Sequence, residues 1–187
     1  MRKIYTAVIF TILLLSGCSD SSNGVGADAV SKNIDSQPKI QKEFVLKDSN
    51  GNTYPIKVRN KGIDFENIKD KVTVLDFFAT WCPPCRATAP HLVSLQEKYK
   101  DSLMIIGMLT ENDGNSESNL KKFQNEFETN YTFIIGDEVQ KLGKSLGGIP
   151  SIPYMIIYDK NGTYVNHYIG QVPEEMLERD IVKAMEK

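Results

Sequence analysis

The chain has 187 residues, of which 41% are hydrophobic and 25% charged, and a formal net charge of −2. That length holds one folded domain with appendages, and the composition is that of an ordinary globular protein. Beyond Arg2 and Lys3 no dense basic run occurs, which excludes the phosphate-neutralising surface of a nucleic-acid binder. Three cysteines are too few for a disulfide scaffold: Cys18 stands alone, and Cys82 and Cys85 form a single C-x-x-C.

Arg2 and Lys3 precede an apolar stretch over residues 4–15. A helix needs about 20 apolar residues to cross a bilayer core, so residues 1–17 read as a signal peptide and not a span. The end of the stretch, Leu15-Ser16-Gly17-Cys18, resembles the bacterial lipobox, which would make Cys18 the lipid-modified first residue of the mature protein. The alternative is an uncleaved anchor, or an ordinary signal peptide with an incidental cysteine. Either reading puts the domain outside the cytoplasm and keeps Cys18 out of the chemistry. Residues 18–41 are rich in Ser, Asn, Gly, Asp and Lys with few large apolar groups, the composition of a flexible tether. The folded domain is expected over residues 42–187.

Within it, residues 43–46 and 53–58 read as short strands around the turn signal Asp48-Ser49-Asn50-Gly51-Asn52. Residues 64–68 read as a short helical turn. The dense apolar run at 71–78 has the look of a central strand buried on both faces. From 83 to 100 the spacing turns helical, with Ala89, Leu92, Val93, Leu95 and Tyr99 on one side. A second buried strand follows at 103–109, then a helix at 119–128, a short strand at 131–135 and a helix at 138–146 stopped by Gly147-Gly148. Strands at 154–158 and 163–169 flank Asp159-Lys160-Asn161-Gly162, a hairpin signal. An amphipathic helix over 174–187 closes the chain. This order predicts an α/β domain with a mixed sheet between helices.

The chemistry-bearing segment is Ala79-Thr80-Trp81-Cys82-Pro83-Pro84-Cys85-Arg86, where the apolar strand gives way to a helix. A cysteine at a helix N-terminus faces unsatisfied N–H groups and the positive end of the dipole, which favour its thiolate. The thiolate is the attacking species in disulfide exchange. Two intervening residues bring the second sulfur within bridging reach on the first turn. Cys82 is thus expected to be the exposed nucleophile and Cys85 the buried resolving thiol. Pro83 and Pro84 lack N–H groups, which costs nothing at the first helical positions, and they stiffen the loop. Half of a zinc site is the competing reading, but a structural site wants four ligands, and His91 and His167 have no metal-like spacing. A purely structural bridge across so tight a loop would restrain the unfolded chain little.

On these residues the chain resembles the thioredoxin superfamily, and within it the extracytoplasmic TlpA-like group that includes the ResA and CcmG (DsbE) proteins of cytochrome c maturation. The resemblance runs from about residue 43 to 187 and implies a thioredoxin fold with N-terminal strand additions and a TlpA-type central insert between residues 109 and 138. It makes Pro90 the proline that kinks the active-site helix. It makes Pro153 a cis-proline which, with Ile152, faces the cysteines and pairs with a substrate backbone; Pro150 is the competing candidate. Two positions depart from the group. A glutamate is usual three residues after the second cysteine, where Thr88 stands, and an uncharged residue is usual six before the first, where Asp76 stands. A carboxyl on a buried strand has a raised pKa and can exchange a proton with Cys85, although an Asp solvated at a strand edge or paired with a lysine is the plainer alternative. Trp81 either shields the sulfurs and offers a partner-binding surface or packs in the core. Neither His91 nor His167 has an evident role.

The expected activity is a protein-disulfide reductase needing no organic cofactor and no metal. The resemblance implies recharging by a membrane thiol reductant of the DsbD or CcdA kind, with apocytochrome c cysteines or other envelope thiol proteins as substrates. The same fold run as a thiol oxidase, or a binding or chaperone-like lipoprotein with structural cysteines, are the alternatives.

Overall fold

A computed structural model describes residues 42–187; the signal peptide over 1–17, Cys18 and the tether expected to residue 41 lie outside the described residues. Strands β1 (Glu43–Lys47), β2 (Thr53–Arg59) and β3 (Gly62–Phe65) form an antiparallel sheet of their own. There follow β4 (Val72–Phe78), α1 (Pro83–Lys98), β5 (Leu103–Leu109), α2 (Ser116–Phe127), β6 (Thr132–Ile134), α3 (Asp137–Ser145), the hairpin β7 (Tyr154–Tyr158) and β8 (Tyr164–Ile169), and α4 (Glu174–Met185). The second sheet has the order β6-β5-β4-β7-β8. β4 is parallel to β5 and antiparallel to β7, so the sheet is mixed as expected.

Every residue of β4 is buried, because both faces of the sheet are covered at its centre. On one face Val72, Val74, Ile105 and Ile157 pack against Leu92 and Leu95 of α1 and Leu177 and Ile181 of α4. Each such side chain contributes about 1.5–3 kcal/mol when fully withdrawn from water. On the other face Leu75, Phe77, Ile106 and Met108 meet Val139 and Leu142 of α3 together with Phe44, Leu46, Ile56 and Ile63 of the small sheet. Helices alone were expected there. With only nine residues α3 cannot cover the face, and β1 to β3 supply the missing apolar layer.

The short helical turn expected at 64–68 is instead the end of β3 and the chain leaving it. Phe65 and Ile68 have helical spacing, but Gly62 to Phe65 pair with β2 in the register Ile56↔Phe65 and Val58↔Ile63. This buries Ile63 completely, a tertiary gain that local spacing does not reveal. The small sheet is locked to the hairpin at one close approach. Ile63 N–H donates to the Gly162 carbonyl at 2.8 Å, and a Cβ on Gly62 would lie 2.1 Å from that oxygen. Gly162 itself has φ +70 in the turn, where Asp159 Oδ1 accepts from the N–H groups of Asn161 and Thr163 at 2.9 and 2.8 Å.

Gly107 pairs with Asp76 across β4 and β5. A Cβ there would come within 2.6 Å of Phe133 Cδ1 and 3.1 Å of Phe78 Cε1, so the missing side chain is filled by aromatic rings. Gly107→Ala should therefore destabilise the domain by about 1–3 kcal/mol through overpacking. Urea unfolding followed by circular dichroism would detect this as a lower midpoint at unchanged slope; an unchanged midpoint would show that the rings yield freely.

Candidate active site at the junction of β4 and α1

The chain leaves β4 at Phe78, turns through Ala79 to Trp81, and enters α1 with Cys82 as N-cap. Cys82 has extended φ and ψ (−80, 113), and Pro83 and Pro84 occupy the first helical positions. Those positions need no N–H donors, so the two prolines start the helix rather than break it. Cys82 and Cys85 are joined by a disulfide, with their Cα atoms 5.3 Å apart. The Cys85 N–H donates to Cys82 Sγ at 3.4 Å, the capping bond of the helix. No acidic side chain stands in the first turn of α1 to offset its positive end.

Cys82 was expected to be exposed and Cys85 covered. In the disulfide form both are covered, at 3% and 4% exposure. The cover over Cys82 comes from a distant part of the chain: the Ile152 carbonyl oxygen lies 3.9 Å from Cys82 Sγ, and the Ile152 side chain packs on the same apolar cluster as both sulfurs. The Ile152–Pro153 peptide bond is cis, and it is the only cis bond among the described residues, so the competing Pro150 is trans. The Pro153 carbonyl accepts from Gly170 N–H at 2.8 Å, which ties this loop to the end of β8. Trp81 is 68% exposed beside the cysteines, and ordinary core packing does not describe it.

Asp76 lies on the face of β4 that α1 covers, one pleat below Phe78, which packs with both cysteines. Its strand neighbours are Gly107 and Met155, and neither offers a polar side chain. Carboxyl Oδ1 is fully buried without a hydrogen-bond partner. Burial, unrelieved by any partner, pushes the Asp76 carboxyl up to about 7. The solvated or lysine-paired aspartate is therefore excluded by position. Thr88 is buried on α1, and its hydroxyl donates to the Pro84 carbonyl at 2.9 Å, so no ionisable group stands at the place where the group usually has a glutamate.

Pro90 lies inside α1. His91, one residue on, is half-buried with Nδ1 lacking a partner, and His167 is exposed on β8 with Nδ1 2.6 Å from the Tyr164 hydroxyl. Among the described residues no three His, Cys, Asp or Glu side chains are grouped so as to hold a metal ion. Nor is any helix among them long and apolar enough to cross a membrane. A concavity of about 1310 Å3 lies between the β1–β2 turn and α2, bordered by Asp48 and Lys121, and it contains neither cysteine. Trp81, exposed, stands next to Cys82 in the chain, and Ile152 packs on the cluster that holds both sulfurs.

The sequence reading assigned no part to Glu111, whose carboxylate accepts two hydrogen bonds from Thr80, or to Arg86, which donates to the Thr80 carbonyl. Glu111 stands 31 residues from Thr80 in sequence. The one available signal was its place just past the carboxyl end of a strand parallel to β4, where α/β folds gather functional groups.

The chain matches the redoxin family over residues 43–185. It is 29% identical over 179 residues to the thiol-disulfide oxidoreductase ResA of Bacillus thuringiensis (strain Al Hakam), covering 95% of this chain and 93% of that one. To the thioredoxin-like protein YneN of Bacillus subtilis (strain 168) it is 26% identical over 117 residues, 62% of this chain and 66% of that one. Among solved structures it resembles a thiol:disulfide interchange protein of the thioredoxin family from Chlorobium tepidum TLS, with a TM-score of 0.59 and 22% identity over 81% of this chain and 99% of that one. A secreted Mycobacterium tuberculosis disulfide oxidoreductase homologous to E. coli DsbE gives a TM-score of 0.59 at 20% identity, over 75% and 95% of the two chains. These last two likenesses are of fold. The chain thus belongs to the redoxin family, as a thioredoxin-fold thiol–disulfide oxidoreductase similar to ResA.

Proposed function

We propose that the protein is an extracytoplasmic protein-disulfide reductase, held at a membrane by lipid on Cys18, with Cys82 as nucleophile, Cys85 as resolving thiol and Asp76 as the group that moves the proton. The observation that carries this reading is a disulfide set on the N-cap of α1, at the end of a strand that holds a buried carboxyl whose Oδ1 has no partner. In the reduced protein the Cys82 thiolate attacks one sulfur of a substrate disulfide, forming a mixed disulfide and releasing the first substrate thiol. Cys85 then passes its proton to Asp76 and attacks Cys82 Sγ. The mixed disulfide breaks, the second substrate thiol leaves, and the Cys82–Cys85 bond forms. Two electrons have then reached the substrate, and a membrane thiol reductant of the DsbD or CcdA kind would restore them.

An Asp76 carboxyl that titrates at about 7 is suited to the transfer, since it can accept and return a proton at neutral pH. The substrate strand would lie along Ile152 and Pro153 with the exposed Trp81 as its apolar contact, which the position of the Ile152 carbonyl 3.9 Å from Cys82 Sγ supports. Apocytochrome c cysteines are the proposed substrates, on the resemblance to the ResA and CcmG proteins; the absence of the usual glutamate at Thr88 also admits other envelope thiol proteins.

Cys85→Ser leaves the attack intact and removes resolution, so it should accumulate mixed disulfides through Cys82 in cells and lose insulin reduction in vitro. Equilibration of the wild-type pair with a dithiothreitol series tests direction: a potential near about −120 mV, that of a strong oxidant, would overturn the reductant. For the anchor, Cys18→Ser should move the protein from the membrane to the soluble envelope fraction, and unchanged membrane association would reject lipidation.

Asp76→Asn should slow resolution at neutral pH by at least about tenfold, read by quenched-flow gel analysis, and equal rates would remove the proton role. The same variant has a stability signature in the disulfide form. Folded Asp76 keeps its proton until about pH 7, whereas the unfolded group releases it near 3.8. Folding therefore takes up a proton between those values, and wild-type stability falls as pH rises through them. Asp76→Asn escapes this loss, so its stability relative to wild type should grow between about pH 4 and 7, by a few kcal/mol at most, and then level off. Parallel urea midpoints across that range would show that the carboxyl is not buried as described.

A further inference from the structure

The segment between β5 and β6 reaches back to the active-site turn at two points. Glu111, two residues past β5, accepts from Thr80 N–H at Oε2, 3.1 Å, and from the Thr80 hydroxyl at Oε1, 2.8 Å. From the helix side, Arg86 Nη1 donates to the Thr80 carbonyl at 3.2 Å. The same guanidinium pairs with Glu126 and lies 5.0 Å from the centre of the Phe127 ring. The N–H, hydroxyl and carbonyl of Thr80 are thus all engaged by side chains of other elements, and Thr80 is 7% exposed.

We propose that Glu111 is a positioning residue for disulfide exchange: it fixes Thr80, and through Thr80 it holds Cys82 on the N-cap of α1. This rests on the reading of Cys82 as the attacking thiolate. The stabilisation of that thiolate comes from the Cys85 N–H and the end of the helix, and it falls away within one turn. Only Trp81 separates Thr80 from Cys82, too little chain to absorb a displacement. Hydrogen bonds to a carboxylate are roughly twice as strong as neutral ones, so a paired set on one residue is an effective pin. Arg86 acts on the same residue from the opposite side, with Glu126 and Phe127 keeping its guanidinium in place.

A carboxylate near the sulfurs could also act by charge alone, and the sign separates the two. Repulsion from Glu111 would disfavour the thiolate, so removing it would speed reaction. Loss of positioning would slow it.

The test is alkylation of Cys82 by iodoacetamide in the reduced full chain across a pH series, with mass spectrometry of the Cys82 peptide. Glu111→Ala should slow alkylation at pH 7 by at least about threefold and move the midpoint of the pH profile upward. Glu111→Gln keeps a carbonyl acceptor for Thr80 and should recover most of the rate. Faster reaction in both variants, or a Glu111→Ala profile equal to wild type, would overturn the proposal. A role in folding alone would lower thermal stability and leave the profile where it was, which also overturns it. If Glu111→Ala does not fold, Thr80→Ser, which keeps the hydroxyl donor, is compared with Thr80→Val, which loses it. Slower alkylation in the valine variant alone supports the pin, and equal rates reject it. A wild-type Cys82 that titrates like a free thiol, near about 8.5, would sink the nucleophile reading itself and the inference with it.

Discussion

Strand β4 has no wet face, and the behaviour of the site follows from that burial. A carboxyl on such a strand has no water to ionise into. Asp76 has Gly107 and Met155 as its strand neighbours and no hydrogen bond at Oδ1, so its proton is held into the neutral range. The same burial aligns β4 with β5 and β7 and delivers its C-terminal end, with the two cysteines, to the start of α1. In the proposed exchange strand and helix would act together: the strand would supply a carboxyl that takes up and returns a proton near neutral pH, and the helix end an environment that favours a thiolate.

The layer beneath the sheet is assembled from separate pieces. α3 is short, and the small sheet of β1 to β3 completes the cover with Phe44, Leu46, Ile56 and Ile63. The join depends on the contact of Gly62 with Gly162, where backbone approaches backbone more closely than any side chain would allow. Above the sheet, the segment between β5 and α3 contributes Phe123 and Phe133 to the cluster around the cysteines and Glu111 to the turn before them. Parts added to the basic fold thus support the active-site turn and the sheet that carries it.

Most elements were legible because their signals are local. The apolar runs of β4 and β5, the helical spacing after Cys85 and the Gly147-Gly148 stop each depend on neighbours in sequence. The exception at residues 64–68 is instructive: Phe65 and Ile68 mimic helix spacing, and only pairing with β2 makes Gly62 to Phe65 a strand. Ile152 stands 70 residues from Cys82, so local signals do not bring the two together; the family resemblance alone placed Ile152 facing the cysteines, and it did not show that Cys82 would be covered.

Two sulfurs at a helix start, and the exchange chemistry open to them, are determined by the residues from Trp81 to Cys85 alone, because helix initiation and a two-residue spacing are local matters. The tertiary structure decided the rest. It removed water from Asp76, laid Ile152 and the cis bond before Pro153 over Cys82, and brought the carboxylate of Glu111 to Thr80. Burial and long-range hydrogen bonding are properties of what packs around a residue, and no run of neighbours in the chain encodes them.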